Sequence, residues 1–350
     1  MNPEQTLSNK QLLAGLLLVI LGGVMEGAYA LPLKFTPKWN WENTWGMASL
    51  SALLLVPWTL AVITVPNLLD LYRQISVVTI AWTLLFGMAW GIGGVLLGLS
   101  INMVGIALGF SIVLGIIAID GSLIPLLWHD PEKILSGGGL WFLASMLVFM
   151  IGTGICAVAG KRKEEEATPN HTDRKGGYFR IGLILCIISG LMCGCVNFAL
   201  IFGTEITHRA TELGTRPLFA ADALWALVFT TNYLANIVYC VYLVWRNKSS
   251  DRFFAKGTGG YWLQAILMGI VWATGIVVYG IGAFKLGRYG AFIGFPAMIA
   301  TSILTANLLG WLTGEWKSVS TRVSRIMLLG VGTLVIAISL LATADHMIAR

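Results

Sequence analysis

Gly87-Met88-Ala89-Trp90-Gly91-Ile92-Gly93-Gly94-Val95-Leu96-Leu97-Gly98, which continues through Asn102 to Gly105, returns once, 182 residues later. The second copy is Gly269-Ile270-Val271-Trp272-Ala273-Thr274-Gly275-Ile276-Val277-Val278-Tyr279-Gly280, continuing to Gly287. Gly, Trp, Gly, Val, Gly and Gly register at 87/269, 90/272, 93/275, 95/277, 98/280 and 105/287 without a gap. A second pair agrees: Gly15, Leu16, Leu18, Ile20, Gly23, Met25 and Gly27 recur as Gly182, Leu183, Leu185, Ile187, Gly190, Met192 and Gly194, 167 residues on. Two Gly-rich apolar helices resemble each other by composition alone. A Trp falling on a Trp, and the agreement of two separate pairs of segments, point instead to an internal duplication. The offsets differ by fifteen residues, so the second half carries an insertion between its first and third hydrophobic segments.

Hydrophobic residues make up 57% of the 350 positions and charged ones only 11%, too little polar surface for a soluble globule. The fold class is all-α integral membrane. Ten apolar runs are long enough to cross about 30 Å of hydrocarbon: 11–33, 43–64, 79–100, 105–127, 140–160, 179–201, 219–245, 261–284, 290–312 and 325–344. Helix-length uncharged runs exclude an outer-membrane barrel, whose strands alternate over about ten residues. The net charge of +6 sits in loops, so it speaks for orientation in a bilayer and not for a nucleic-acid partner.

Of the 23 Lys and Arg residues, fifteen fall in the odd-numbered loops, among them Lys34, Lys38, Lys161 to Lys163, Arg246, Lys317, Arg322 and Arg325. The positive-inside rule puts those loops in the cytoplasm and both termini outside. The soluble stretch 161–178 divides the chain into a first five-helix repeat over 10–160 and a second over 179–345. Five is odd, so the second copy enters the membrane inverted. A 5+5 inverted repeat is an architecture from which alternating-access carriers are built, with the substrate near the midplane. Lys10, the run from Leu12 to Val24 and Ala28-Tyr29-Ala30 imitate a cleaved signal, but 12–33 is the duplication partner of 179–201 and is expected to stay.

Trp39, Trp41 and Trp45, with Lys34 and Lys38, suggest an interfacial aromatic and cationic belt. Helix three carries small-xxx-small spacing at 87/91 and 94/98, which lets helices approach closely. The loop 202–218 is expected as a short lid helix or a solvated connector. All five cysteines lie in apolar runs and suit packing, so neither a disulfide nor a metal site is expected. The four histidines (His129, His171, His208, His346) are scattered over loops and ends, and HExxH, GxSxG and CxxC are absent. That argues against an enzyme and against a cofactor.

Tyr29-Ala30-Leu31-Pro32-Leu33-Lys34, Lys38-Trp39-Asn40-Trp41-Glu42-Asn43-Thr44-Trp45, Pro57-Trp58, Pro66-Asn67, Phe86 to Gly93 and Gly214-x-x-Pro217-Leu218 resemble the L-rhamnose–proton symporter family of the drug/metabolite transporter superfamily. The resemblance is clearest over the first 125 residues, and K-W-x-W-E-x-x-W is its most specific part. It implies a ten-helix carrier of the drug/metabolite transporter fold, multi-pass in a bacterial inner membrane. Its implied partners are a deoxyhexose such as L-rhamnose, a proton and the lipid bilayer. An exporter or exchanger of other small metabolites on the same fold is the alternative.

For the substrate, Trp90 and Trp272 are expected to line a central pocket on related sides of the pseudo-twofold axis, since an indole face stacks on the C–H face of a pyranose. Asn197, Asn102, the i, i+4 pair Asn232 and Asn236, Gln264 and Tyr279 are candidate polar anchors, a neutral set for a neutral ligand. For the proton, an intramembrane carboxylate is a functional candidate by default. Glu26 follows Gly15, Gly22 and Gly23 on a small-residue stripe. Asp120, among Ile116, Ile117, Leu123 and Ile124, is its rival.

Overall fold

The computed structural model describes residues 9–104, 131–167, 176–286, 294–314, 316–317 and 319–348, with scattered positions between 109 and 127. The described residues are helical, without strands. The helices are α1 (Asn9–Ala28), α2 (Trp41–Thr64), α3 (Leu68–Gln74), α4 (Val77–Val104), α5 (Gly137–Ala167), α6 (Gly176–Phe202), α7 (Thr204–Glu212), α8 (Ala221–Asn247), α9 (Gly259–Lys285), α10 (Phe295–Leu312) and α11 (Thr321–Ile348). Nine of them, among the described residues, are long and apolar enough to span a bilayer. The expected fourth span, 105–127, lies largely outside the described residues.

Prolines explain two departures from uniform helix. α1 stops at Ala28, whose carbonyl would need the N–H that Pro32 lacks, and the chain re-forms as a 3₁₀ turn over Leu31–Phe35 with Pro32 in its first turn. In α2, Pro57 has no N–H and its ring crowds the carbonyl one turn back; the helix answers with a π turn over Leu50–Leu55, in which the Val56 N–H reaches Ser51 O.

The described chain divides into two compact units, and each takes residues from both halves of the sequence. One unit comprises Met1–Ala28, Leu99–Gly190 and Gly275–Arg350. In it α5 packs along α11 and α1 along α10. Phe142, Phe149, Met298, Leu334 and Leu341 are buried in its core. Lys161–Ala167, expected as the start of a soluble linker, continues α5 as helix. Its Glu166 accepts hydrogen bonds from Ser320 N (2.7 Å) and Ser320 Oγ (2.5 Å), which hold the carboxyl below the usual carboxylate range and fix the start of α11. The remainder of that stretch, 168–175, lies outside the described residues.

The other unit comprises Tyr29–Gly98 and Leu191–Thr274. α8 packs against α2, and α7 against α3 and α8. Ala61, Leu71, Ile206, Ala210, Ala223 and Leu224 are buried where these elements meet. The 202–218 segment is not a solvated connector; it forms a short helix that packs against α3 and α8. α7 buries Ile206 and Ala210, and Glu205 accepts from Ser76 N at 2.9 Å, from Ser76 Oγ and from the Thr79 hydroxyl. Arg209 meanwhile donates to Gln74 Oε1 at 2.6 and 3.1 Å.

Candidate functional site

Within the second unit, one face of α2 opens on a cavity. Trp45, Ala48, Ser49, Ala52 and Leu53 line it, at spacings i, i+3, i+4, i+7 and i+8, so a single helical stripe faces one space. Trp90 and Gly94 of α4, Asn232 and Asn236 of α8, and Met268, Gly269 and Trp272 of α9 complete the wall, with Tyr29. The cavity measures about 110 Å³, and no charged side chain among the described residues lines it.

The two registered tryptophans meet here. The Trp90 and Trp272 ring centroids are 6.4 Å apart, and Phe229 packs against both, at 5.3 Å from Trp90 and 5.6 Å from Trp272. α4 reaches this position through one half of its glycine pattern. A Cβ on Gly91 would sit 2.7 Å from Asn232 O, and one on Gly87 would collide with Val228 O, so both glycines are needed for α4 to lie on α8. The 94/98 pair behaves differently. A side chain at either position would meet open space, and Gly94 instead gives the cavity its room.

The polar part of the wall has a fixed direction. Trp45 Nε1, which can only donate, is 2.9 Å from Asn236 Oδ1. Asn236 must therefore turn its Nδ2 the other way, where it donates to Asn232 Oδ1 (2.9 Å) and Asn232 O (3.0 Å). One lone pair of Asn232 Oδ1 is thereby occupied, and its Nδ2 remains as a donor for the cavity. Replacing Trp45 with Phe removes the group that sets this direction while keeping an aromatic ring. The expected result is a ligand affinity lower by about fivefold, the worth of roughly one hydrogen bond, with melting temperature little changed, as read by calorimetric titration and thermal unfolding of the purified protein.

The rest of the K-W-x-W-E-x-x-W motif builds the scaffold. Trp39, expected at the headgroups, is buried, with Phe253, Tyr261 and Trp262 edge-on to its ring at 5.3 to 5.8 Å; the aromatic side chains of the 250–262 segment give it an apolar slot. Trp41, exposed, stacks on Trp45 at 5.5 Å. Lys38 Nζ donates to Lys256 O at 2.8 Å and the Arg252 guanidinium donates to Lys38 O at 3.2 Å. Glu42 is a buried carboxylate that sequence reasoning passed over. Its Oε1 accepts from Asn40 Nδ2 (3.0 Å), Asn247 Nδ2 (3.0 Å) and Ser249 Oγ (2.8 Å), in the first turn of α2, where the helix dipole favours an anion. Neutral donors thus tie α2 to the end of α8.

The other expected site residues are dispersed. Asn197 is buried on α6 with its Nδ2 turned back to Gly194 O at 3.1 Å, and it does not line the cavity. Gln264 lies on α9 one turn before Met268, with Oε1 buried. The Asn102 side chain lies outside the described residues. Tyr279 belongs to the first unit, 5.9 Å edge-on from Phe295. Glu26, also in the first unit, is partly buried, with Oε2 buried. The stripe beside it packs closely: a Cβ on Gly23 would lie 2.6 Å from Met298 O, and one on Gly22 2.8 Å from Gly275 O. Asp120 is partly buried. No group of three or more His, Cys, Asp or Glu suited to a metal occurs among the described residues. Of the thirteen lining residues, sequence reasoning names Trp90, Asn232, Asn236 and Trp272 and misses the other nine, Tyr29 and Trp45 among them, although the helical spacing of 45, 48, 49, 52 and 53 is visible in the sequence.

The family model described as L-rhamnose-proton symport protein (RhaT) matches residues 8–347. The chain belongs to this family. It is 25% identical over 332 residues to an L-rhamnose-proton symporter of Cronobacter sakazakii, a match covering 92% of this chain and 95% of that one. Proteins of the same description from Yersinia pestis and Yersinia pseudotuberculosis are 24% identical over 336 residues, covering 94% of this chain and 97% of theirs. Membership of the RhaT family therefore extends over nearly the whole length, well beyond the first 125 residues where the motifs are clearest. With the nine apolar helices, it makes the chain a multi-pass membrane protein of a transporter family.

Proposed function

We propose that the chain is a secondary active transporter of the bacterial inner membrane that takes up a neutral sugar, L-rhamnose or a related deoxyhexose, together with a proton. The uncharged aromatic and amide lining of the cavity carries this reading. A charged ligand would lose its hydration there without a counter-ion. A sugar instead finds indole faces for its C–H surface at Trp90 and Trp272, and a donor for a hydroxyl or ring oxygen at Asn232. Ala52, Leu53 and Met268 offer apolar contact for the methyl group of a 6-deoxy sugar. Family membership, and the activity in the names of the Cronobacter and Yersinia relatives, support the same substrate class and the proton coupling.

The finer architecture belongs to the proposal. The Gly87/Gly269 duplication supports ten spanning helices as a 5+5 inverted repeat of the drug/metabolite transporter fold, with halves 10–160 and 179–345 around the linker 161–178. The loop charges support termini outside. Glu26, three residues before the cavity-lining Tyr29 in the chain, takes the proton, and Asp120 is the second candidate.

The test is uptake of radiolabelled sugars into proteoliposomes under an inward proton gradient. L-Rhamnose accumulation that collapses with a protonophore is expected; a null result across neutral sugars would move the reading to an exporter or exchanger of other metabolites. Trp90→Ala and Trp272→Ala are each expected to weaken sugar affinity about tenfold, ~1.4 kcal/mol, in proteins that still elute as monodisperse species. Unchanged affinity in both would remove the tryptophans from the site.

A further inference from the structure

Where α11 begins beside the end of α5, Arg162, Arg322 and Arg325 line one open groove of about 550 Å³ with Thr321, Ile326 and Leu329. The neighbouring charges are engaged with the protein. Lys161 pairs with Glu165 at 3.7 Å, Lys163 stands 4.8 Å over the Trp316 ring, and Glu166 is held by Ser320. The three arginines of the groove have no ion-pair or hydrogen-bond partner among the described residues. Three guanidiniums facing one space repel each other. Their planar forks are also the side chains best matched to phosphate oxygens, and an anion in the groove would turn mutual repulsion into shared attraction.

The apolar wall says what kind of anion. Leu329 is 63% exposed, and the same face of α11 continues to Ile336 at 56%, seven residues or two turns further on. A charged head at the helix end above an exposed aliphatic track is the outline of an amphiphile, with its phosphate among the arginines and its chains along Leu329 and Ile336. We propose that this groove is a binding site for the headgroup phosphate of an anionic membrane phospholipid. Charge complementarity selects among lipids. A zwitterionic headgroup brings an ammonium that three arginines repel, whereas a phosphatidylglycerol-type headgroup brings only the negative charge. The positive-inside reading puts these loops on the cytoplasmic face, where such a lipid meets them directly.

The experiment uses the full chain purified in detergent, titrated in turn with phosphatidylglycerol, phosphatidylcholine and inorganic phosphate, with lipid retention read by native mass spectrometry and melting temperature by intrinsic fluorescence. Phosphatidylglycerol is expected to remain bound and to raise the melting temperature, while the other two do neither. In Arg322→Gln/Arg325→Gln, retention is expected to fall about tenfold or more. Arg162→Gln, a single change on the other helix, makes the same comparison if the double variant folds poorly. Equal retention in wild type and variants, or an equal response to phosphatidylcholine, would overturn the site. A response to inorganic phosphate matching that to lipid would overturn the lipid as its occupant. Sugar uptake enters none of these readouts, so the result stands apart from the transport reading.

Discussion

Glu26→Gln is expected to abolish proton-driven sugar accumulation while leaving sugar-for-sugar exchange largely intact. A carboxylate in a spanning helix costs at least about 2.5 kcal/mol at the bilayer centre, and the surroundings of Glu26 show a built position. α1 lies so close to α9 and α10 beside it that Gly22 and Gly23 have no room for a Cβ. A carboxyl that carries the coupling proton has to alternate between charged and neutral forms, and Gln mimics only the neutral one. Net uptake needs the proton to leave; exchange does not. The measurement is paired: accumulation under an imposed gradient, and counterflow of labelled against unlabelled sugar, in the same liposomes. Loss of both would make Glu26 a structural residue, for instance a partner of Lys34. Undiminished accumulation would transfer the proton to Asp120 or to no carboxylate.

Gly269→Ala is expected to be among the most damaging single changes in the chain. A Cβ there runs into Ser51 Oγ and the Ala48 carbonyl oxygen. Ser51 Oγ is itself engaged, its single proton shared between Ala48 O at 3.0 Å and Ile266 O at 3.1 Å. The obstacle is therefore backbone and a committed hydroxyl, which no rotamer change clears. α9 must move away from α2, and Ala48, Gly269 and Trp272 all line the same cavity. We expect a loss at the upper end of the roughly 1–3 kcal/mol typical of overpacking, seen as a melting temperature lower by several degrees together with loss of sugar binding. Gly94→Ala is the companion measurement. A methyl there meets no neighbouring atom and projects from the cavity wall, so it is expected to leave stability near wild type while weakening the ligand. Equal melting temperatures for Gly269→Ala and wild type would mean that α2 and α9 have slack the packing does not suggest.

The spanning helices were legible because hydrophobic length is a strong and local signal: nine of the expected apolar runs correspond to helices among the described residues. Part of the candidate cavity was legible as well. The Trp90/Trp272 register and the i, i+4 spacing of Asn232 and Asn236 named four of the residues that share the cavity. What stayed hidden depends on partners distant in sequence. Trp39 next to lysines resembles a belt residue until Phe253, Tyr261 and Trp262, more than 200 positions away, enclose it. Seven-residue α3 is too short to show a helical period, and Lys161–Ala167 hid its helix behind charge. Gly87/Gly91 and Gly94/Gly98 have the same spacing, yet an added Cβ would meet neighbouring atoms only at the first pair, and spacing alone does not distinguish the two cases.

Because each compact unit takes pieces from both halves of the chain, assembly has to wait for synthesis. The Gly91 face of α4 is closed by Asn232 and Ala235, which the ribosome adds more than a hundred residues later, a delay on the order of ten seconds. Through that interval α4 sits in lipid with its groove unfilled and Trp90 without Phe229 or Trp272 beside it. The nascent protein therefore depends on whatever shelters half-made bundles at the insertion site. A message cut short after the first five helices would yield two unfinished cores, and a substrate for membrane proteases in place of half a transporter.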